Sequence, residues 1–201
     1  MAAYIAFEGG EGSGKSTQAA LVAERLDAVL TREPGGTPLG GRLRALLLHS
    51  DTHRVGPRAE ALMMAADRAQ HLQDVILPAL SEGRHVVSDR SAYSSLAYQG
   101  GGRELGIDNI RAVNEWAVYG RWPDVVVYLR VPREVAVGRL NRSLDRFEQE
   151  DEWFHVRVGD AFDRLAAEDP DRWIVVDGTR TVDEVSHEVG RRLDSALADL
   201  G

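Results

Sequence analysis

One stretch limits the fold more than any other: residues 7 to 18 read FEGGEGSGKSTQ, and Gly9 to Ser16 fit the spacing G-x-x-x-x-G-K-[ST]. The apolar run Tyr4-Phe7 before it and the helical periodicity from Thr17 to Leu26 after it predict strand, loop and helix in that order. In that setting the glycines let successive backbone N–H groups turn inward onto phosphate oxygens, and the helix N-terminus adds its positive end. Lys15 supplies a mobile cation and Ser16 a hydroxyl suited to Mg²⁺. Gly9, Gly10, Glu11, Gly12, Ser13, Gly14, Lys15, Ser16 and Thr17 are therefore the candidate phosphate-binding residues. One of them looks misplaced, because Glu11 puts a carboxylate at the centre of a loop built for polyanions.

The rest of the chain repeats the same alternation. Further short apolar, β-branched runs occur at Ala28-Thr31, His85-Ser88, Val125-Leu129 and Trp173-Val176, separated by longer segments of helical period. Runs as continuously apolar as VVVYL are strands buried on both faces, so a largely parallel sheet of about five strands with helices on both sides follows, an α/β three-layer fold. Three segments break the rhythm: Glu33-Pro38 and Gln99-Arg103, read as loops from their glycines and proline, and the charged run 139–151, read as a helix end or a flap. No repeat or linker divides the chain, and 201 residues suit one domain with one sizeable core.

A second anchor lies at the carboxyl edge of the sheet, where ligands of such folds bind. The strand Val86-Val87-Ser88 ends in Asp89, which can hold the water shell of Mg²⁺, and Arg90, whose fork fits phosphate oxygens. Charge makes local arginines necessary: 32 acidic against 24 basic residues give a net charge of -8, unsuited to general affinity for nucleic acid or an anionic membrane. Without cysteine there are no disulfides, thiolate metal sites or cysteine nucleophile. No uncharged stretch approaches the ~20 residues that span a bilayer and the N-terminus lacks a basic leader, so a cytoplasmic protein is expected.

These anchors, together with TREPGGT at 31–37, ADRAQH at 66–71, AYQGGGR at 97–103 and DRFE at 145–148, resemble the bacterial thymidylate kinases from about residue 4 to the C-terminal helix. The resemblance implies the P-loop nucleoside monophosphate kinase fold, ATP as cosubstrate, Mg²⁺ as cofactor, transfer of the γ-phosphoryl group to dTMP, and commonly a homodimer. Within one domain over 1–201 it implies the phosphate loop at 9–16, an acceptor-binding region at about 33–103 and a lid at about 139–151.

Phosphoryl transfer is catalysed mainly by positioning and by cations around the moving group. Lys15 and Arg90 are two such cations, and because the loop has no arginine between Gly10 and Ser13, others must come from elsewhere. Arg139, Arg142 and Arg146 are spaced i, i+3, i+7 and share a face if the helix after Pro132 continues that far; the resemblance favours Arg142 and Arg146.

On the acceptor side, a helix over Ala59–Leu77 is expected to pack Leu62, Ala65, Ala66, Ala69, Leu72 and Ile76 inward. Met64, Arg68 and His71 share another face. By resemblance Arg68 contacts thymine and Met64, in place of the usual phenylalanine, covers the base through its polarisable sulfur. Ser94 and Ser95 match positions that bond the pyrimidine edge, and Tyr98 and Gln99 match the pocket wall. A Tyr98 ring beneath the sugar would also crowd a 2′-hydroxyl. Arg42 and Arg44 sit about 200° apart on a helix, so one of them aims at the cleft; the resemblance selects Arg44, for the acceptor phosphate. A carboxylate ~4 Å from a phosphate charge is repelled by about 1 kcal/mol in water and more in a drier site. Glu11 must then face away from ATP, and the resemblance gives it the 3′-hydroxyl of dTMP. Ser91, Gly41 and Arg130 depart from the residues usual in the family. Two other readings stay open: a kinase for a different nucleoside monophosphate or small acceptor, and a nucleotide-dependent switch.

Overall fold

The structure, a computed structural model, describes residues 1–48, 55–140 and 145–200. Five strands, β1 (Tyr4–Glu8), β2 (Val29–Arg32), β3 (Val86–Asp89), β4 (Val125–Arg130) and β5 (Trp173–Asp177), form one parallel sheet in the order β2-β3-β1-β4-β5. Each strand ends one residue beyond the apolar run that predicts it, on a charged side chain: Glu8, Arg32, Asp89, Arg130 and Asp177. The carboxyl edge is therefore a row of charges immediately above an apolar sheet.

Alternation along β4 separates two cores. Val125, Val127 and Leu129 join Phe7 and the inner faces of α1 (Lys15–Leu26) and α9 (Val182–Asp199), while Val126 and Tyr128 face the opposite core. That second core is built with α3 (Pro57–His71), α6 (Ile107–Ala117) and α8 (Glu152–Glu168). At its centre Phe162 stacks on Tyr128 at 5.3 Å between ring centres and meets the edge of Tyr98 at 6.2 Å. Truncating so buried a ring to alanine costs ~3–5 kcal/mol.

Four expectations change. The continuous helix expected over Ala59–Leu77 is α3 from Pro57 to His71, a widened turn over Leu72–Ile76, and then α4 (Leu77–Ser81). Pro78 explains the widening, because its ring lacks an N–H and crowds the carbonyl four residues back. The expected apolar stripe is also rotated. Ala65, Leu72 and Ile76 are buried, but Leu62 is 59% exposed and Ala66 is exposed, while Glu60, Asp67, Arg68 and His71 turn inward.

Residues Gln99 to Gly102, expected as a loop, continue α5 (Ala92–Ser95) as a wide helical stretch, Leu96–Gly102. Their glycines serve close approach, since an added Cβ at Gly101 would lie 2.8 Å from Ala161 Cβ and one at Gly102 2.6 Å from Phe154, both on α8. Finally, the helix after Pro132 does not carry arginines on to 146. It is α7 (Arg133–Gly138), and α2 (Pro38–Leu48) completes the set. Among the described residues no helix is long and apolar enough to cross a membrane.

Candidate active site

The phosphate loop leaves β1 at Gly9 and enters α1 through Gly14, whose φ of 93° caps the helix. Gly12 has φ 74°, and a Cβ there would overlap the Ala136 carbonyl, so this position needs glycine for both backbone and space. Lys15, the only lysine in the sequence, is buried, and its Nζ donates to Gly10 O at 2.7 Å and Ser13 Oγ at 3.4 Å. Burial, and then the nearby Arg90, hold its pKa below the ordinary lysine value.

Ser16 Oγ donates to Asp89 Oδ2 at 2.5 Å, while Asp89 Oδ1 is buried with no partner among the described residues. A hydroxyl beside an orphaned carboxylate oxygen at the mouth of a phosphate loop is the hard oxygen donor set that suits Mg²⁺. The metal expectation for Ser16 and Asp89 fits this geometry.

Arg90 adopts a left-handed backbone with φ 79°. Its guanidinium donates to Gly9 O at 3.2 Å, Ser94 Oγ at 3.0 Å and Tyr98 Oη at 3.3 Å, and pairs with Glu11. Burial would lower its pKa, but Glu11 and further acids raise it well above the usual arginine value. Glu11 thus stands against the arginine of the second anchor.

Beneath Arg90, Glu8 is completely buried and accepts from the Ser91 N–H (2.8 Å), Ser91 Oγ (2.7 Å), Ser94 N–H (3.2 Å) and Ser94 Oγ (2.5 Å). Burial raises its pKa against the opposing pull of Arg90. The departure at Ser91 gains a role here, because its small hydroxyl both caps α5 and satisfies Glu8.

A cavity of about 210 Å³ opens beside these groups, lined by Glu11, Arg32, Arg44, Met64, Arg68, Arg90, Ser94, Ser95, Tyr98, Gln99 and Phe147, among others. Every acceptor-side residue expected from the sequence reaches it. Arg44 Nη1 donates to Pro34 O at 2.9 Å, and Arg42 is exposed outside. Arg68 is 3% exposed and commits four of its five N–H groups: to Glu33 at 2.7 Å, to Ser95 Oγ and Ser91 O at 3.1 Å each, and to Asn114. Its fifth N–H has no partner among the described residues.

Behind Arg68, Glu33 also meets His71 Nδ1 at 2.9 Å, and His71 Nε2 meets Thr31 Oγ1 at 2.6 Å. Burial alone would raise the Glu33 pKa, but Arg68 and His71 hold it below the usual carboxylate value. The Glu33-Pro34 peptide bond is cis, one of the two alternatives the sequence leaves open. The following Gly35 N–H donates to Asp67 Oδ1 at 2.9 Å; burial and the charge of Glu33 push the Asp67 carboxyl up to about 6.

The two lid arginines among the described residues, Arg139 and Arg146, hydrogen-bond to groups outside the phosphate loop. Arg139 donates to Gly178 O (2.8 Å) and Thr179 O (3.1 Å), bracing the turn after β5. Arg146 donates to Leu47 O at 2.8 Å and Glu60 Oε2 at 2.7 Å, on the acceptor side. Arg142 lies outside the described residues. Arg130 pairs with Asp163 at 2.6 Å, away from the cavity, and Gly41 has open space around it. A separate cavity of about 520 Å³ borders the other side of the loop, lined by Glu11–Gln18, Arg139, Gly178, Arg180 and Thr181.

The thymidylate kinase family model matches residues 7–189. The chain belongs to the thymidylate kinase family. It is 46% identical over 198 residues to thymidylate kinase of Neisseria gonorrhoeae, covering 95% of this chain and 96% of that one. With thymidylate kinase of Leifsonia xyli it shares 46% over 202 residues, covering 96% and 95%. The crystal structure of thymidylate kinase from Ehrlichia chaffeensis superimposes with a TM-score of 0.81 at 32% identity, covering 96% of this chain and 98% of that one. The five-stranded parallel α/β fold is that of this thymidylate kinase, and the reaction is phosphorylation of dTMP to dTDP with ATP and Mg²⁺.

Sequence reasoning missed the buried supports of this kinase site: Glu8, Glu33, Glu60, Asp67 and Asn114. A signal existed for three of the inward polar residues on α3, because Glu60, Asp67 and His71 recur at i, i+7 and i+11, one face of a helix.

Proposed function

We propose that the two cavities are the dTMP and ATP sites and that they exchange the phosphoryl group across Glu11, Lys15 and Ser16. The observation that carries this reading is that these three residues line both cavities. On the donor side, loop N–H groups and Lys15 hold the ATP phosphates, and Ser16 and Asp89 hold Mg²⁺. The cation neutralises the donor phosphates and orients the γ-phosphoryl group. On the acceptor side, Arg90 and Arg44 take the dTMP phosphate, and Arg90 lies close enough to the loop to bridge acceptor and transferring group. Glu11 accepts from the sugar 3′-hydroxyl. Arg68, Ser94, Ser95 and Gln99 recognise the base edge, Met64 covers its face, and Tyr98 closes the wall beneath the sugar. Arg142 and Arg146 belong to the lid of one domain spanning 1–201.

ATP-dependent ADP formation measured against dTMP, dUMP, UMP, dCMP, AMP and GMP tests this reading. A marked preference for dTMP supports it, and equal rates on several acceptors would overturn it.

The chain further acts as a homodimer through α3 and α6, which pack together and carry exposed Leu62, Ala66 and Trp116. Light scattering on the intact protein and on Leu62→Glu distinguishes dimer from monomer. A cytoplasmic location matches its nucleotide substrates, and cell fractionation checks it.

A further inference from the structure

We propose that Glu60 is a positioning residue that ties the wall of the acceptor cavity to the 145–150 segment, so that dTMP binding and placement of that segment are one event. The proposal rests on the cavity lined by Arg68 and Gln99 being the dTMP site.

Glu60 stands in the first turn of α3, where a carboxylate suits the helix dipole, yet its side chain is fully buried. It does not line the cavity. Instead its two oxygens collect donors from two other segments. Oε1 accepts from Gln99 Nε2 at 2.8 Å and Arg103 Nε at 3.2 Å; Oε2 accepts from Arg103 Nη2 at 3.1 Å and Arg146 Nη2 at 2.7 Å.

Each partner leads to a functional surface. Gln99 lines the cavity, and because a carboxylate takes only the N–H₂ end of an amide, Glu60 turns the Gln99 carbonyl the other way. Arg146 leads to the opposite wall: its guanidinium lies 4.7 Å from the ring centre of Phe147, and Phe147 and Asp145 line the cavity. Arg103 reinforces the join by pairing with Glu150 at 2.6 Å. One carboxylate therefore fixes both a wall on the helical stretch Leu96–Gly102 and a wall on the 145–150 segment.

Removing its charge takes from Arg146 the carboxylate it shares with Arg103 and leaves Arg103 with Glu150 alone. The 145–150 segment then loses one of its two ties beside the cavity, and Gln99 is free to turn over. Neither effect touches the loop that holds ATP.

The experiment is steady-state kinetics of wild type, Glu60→Gln and Arg103→Gln with dTMP and ATP varied separately, alongside thermal melting. Loss of a charge-assisted contact predicts at least a tenfold rise in the dTMP KM of Glu60→Gln, with the ATP KM within about twofold. Arg103→Gln should give a smaller rise in the same parameter, and it carries the test alone if Glu60→Gln does not fold. A general loss of packing would move both KM values together. Equal rises in both, or a dTMP KM unchanged in a folded variant, would overturn the role of Glu60. If wild type itself shows no preference for dTMP, the cavity assignment fails instead.

Discussion

On the proposed donor side of Lys15 the site is built from backbone: a run of consecutive residues supplies glycines, N–H groups and a helix end, and Arg139 braces the neighbouring turn through two carbonyls. On the acceptor side it is written in buried charge. Glu8, Glu33 and Glu60 come from distant parts of the chain and are satisfied beneath the cavity by Ser91 and Ser94, by Arg68 and His71, and by Gln99, Arg103 and Arg146 respectively. A backbone cradle tolerates its surroundings because its groups are held by local geometry. A buried charge network stands only when complete, since removing one partner strands another without solvent. The two sides should therefore fail differently: the donor side in chemistry with the fold intact, the acceptor side in stability as well.

The largest expected effect lies where the two sides meet. Lys15→Met and Arg90→Ala should each lower kcat by about a hundredfold to a thousandfold or more, because charge placed around the transferring group supplies most of the catalysis. Lys15→Met should melt like wild type, whereas Arg90→Ala, which removes a largely buried guanidinium bonded to Gly9 O and to the Ser94 hydroxyl that serves Glu8, should also lose stability; identical melting of the two would break the comparison. Next, Glu33→Gln uncouples a fully buried pair and should cost about 3–5 kcal/mol in urea unfolding. Glu11→Ala should raise the dTMP KM more than the ATP KM, about tenfold if one charge-assisted hydrogen bond is lost; the reverse order would show that the loop's acid serves the donor.

The smallest effect concerns Asp67. Its carboxyl titrates at about 6 in the fold and near ~4 when unfolded. The unfolded chain releases that proton first, so stability falls as pH rises from about 4 to 6 and levels off above. Asp67→Asn should flatten that part of a melting profile, and an unchanged slope would remove Asp67 as its source.

The same contrast explains what could be read from the sequence. Donor-side chemistry sits within a continuous motif, so Gly9 to Thr17 were legible, and apolar runs located every strand to within a residue. Those runs stopped short of Glu8, Arg32, Asp89, Arg130 and Asp177 because hydropathy marks where a strand is buried, while the functional edge begins where burial in apolar surroundings ends. On the acceptor side, Arg44, Arg68, Ser94, Ser95, Tyr98 and Gln99 were found by resemblance and do line one cavity. Their supports were not found, because a buried acid looks like a surface acid until its partner is known. Leu62 was misread and Glu60 passed over for that reason: an apolar stripe assumes that charge faces water, and in α3 Glu60 turns inward to Arg103 and Arg146. The lid helix failed on a different ground, since the i, i+3, i+7 spacing of its arginines describes a face only while a helix lasts, and α7 ends at Gly138.

The solitary status of Lys15 has an experimental consequence. Every other basic side chain in the sequence is arginine or histidine, so the ε-amine that touches the phosphate loop is the only side-chain amine the molecule owns. Any acylating reagent has one internal address, shared only with the N-terminus, and that address borders both of the proposed nucleotide cavities. The stoichiometry of amine labelling, ordinarily an average over a protein's surface, becomes here, once the N-terminal amine is subtracted, a count of phosphate loops left open.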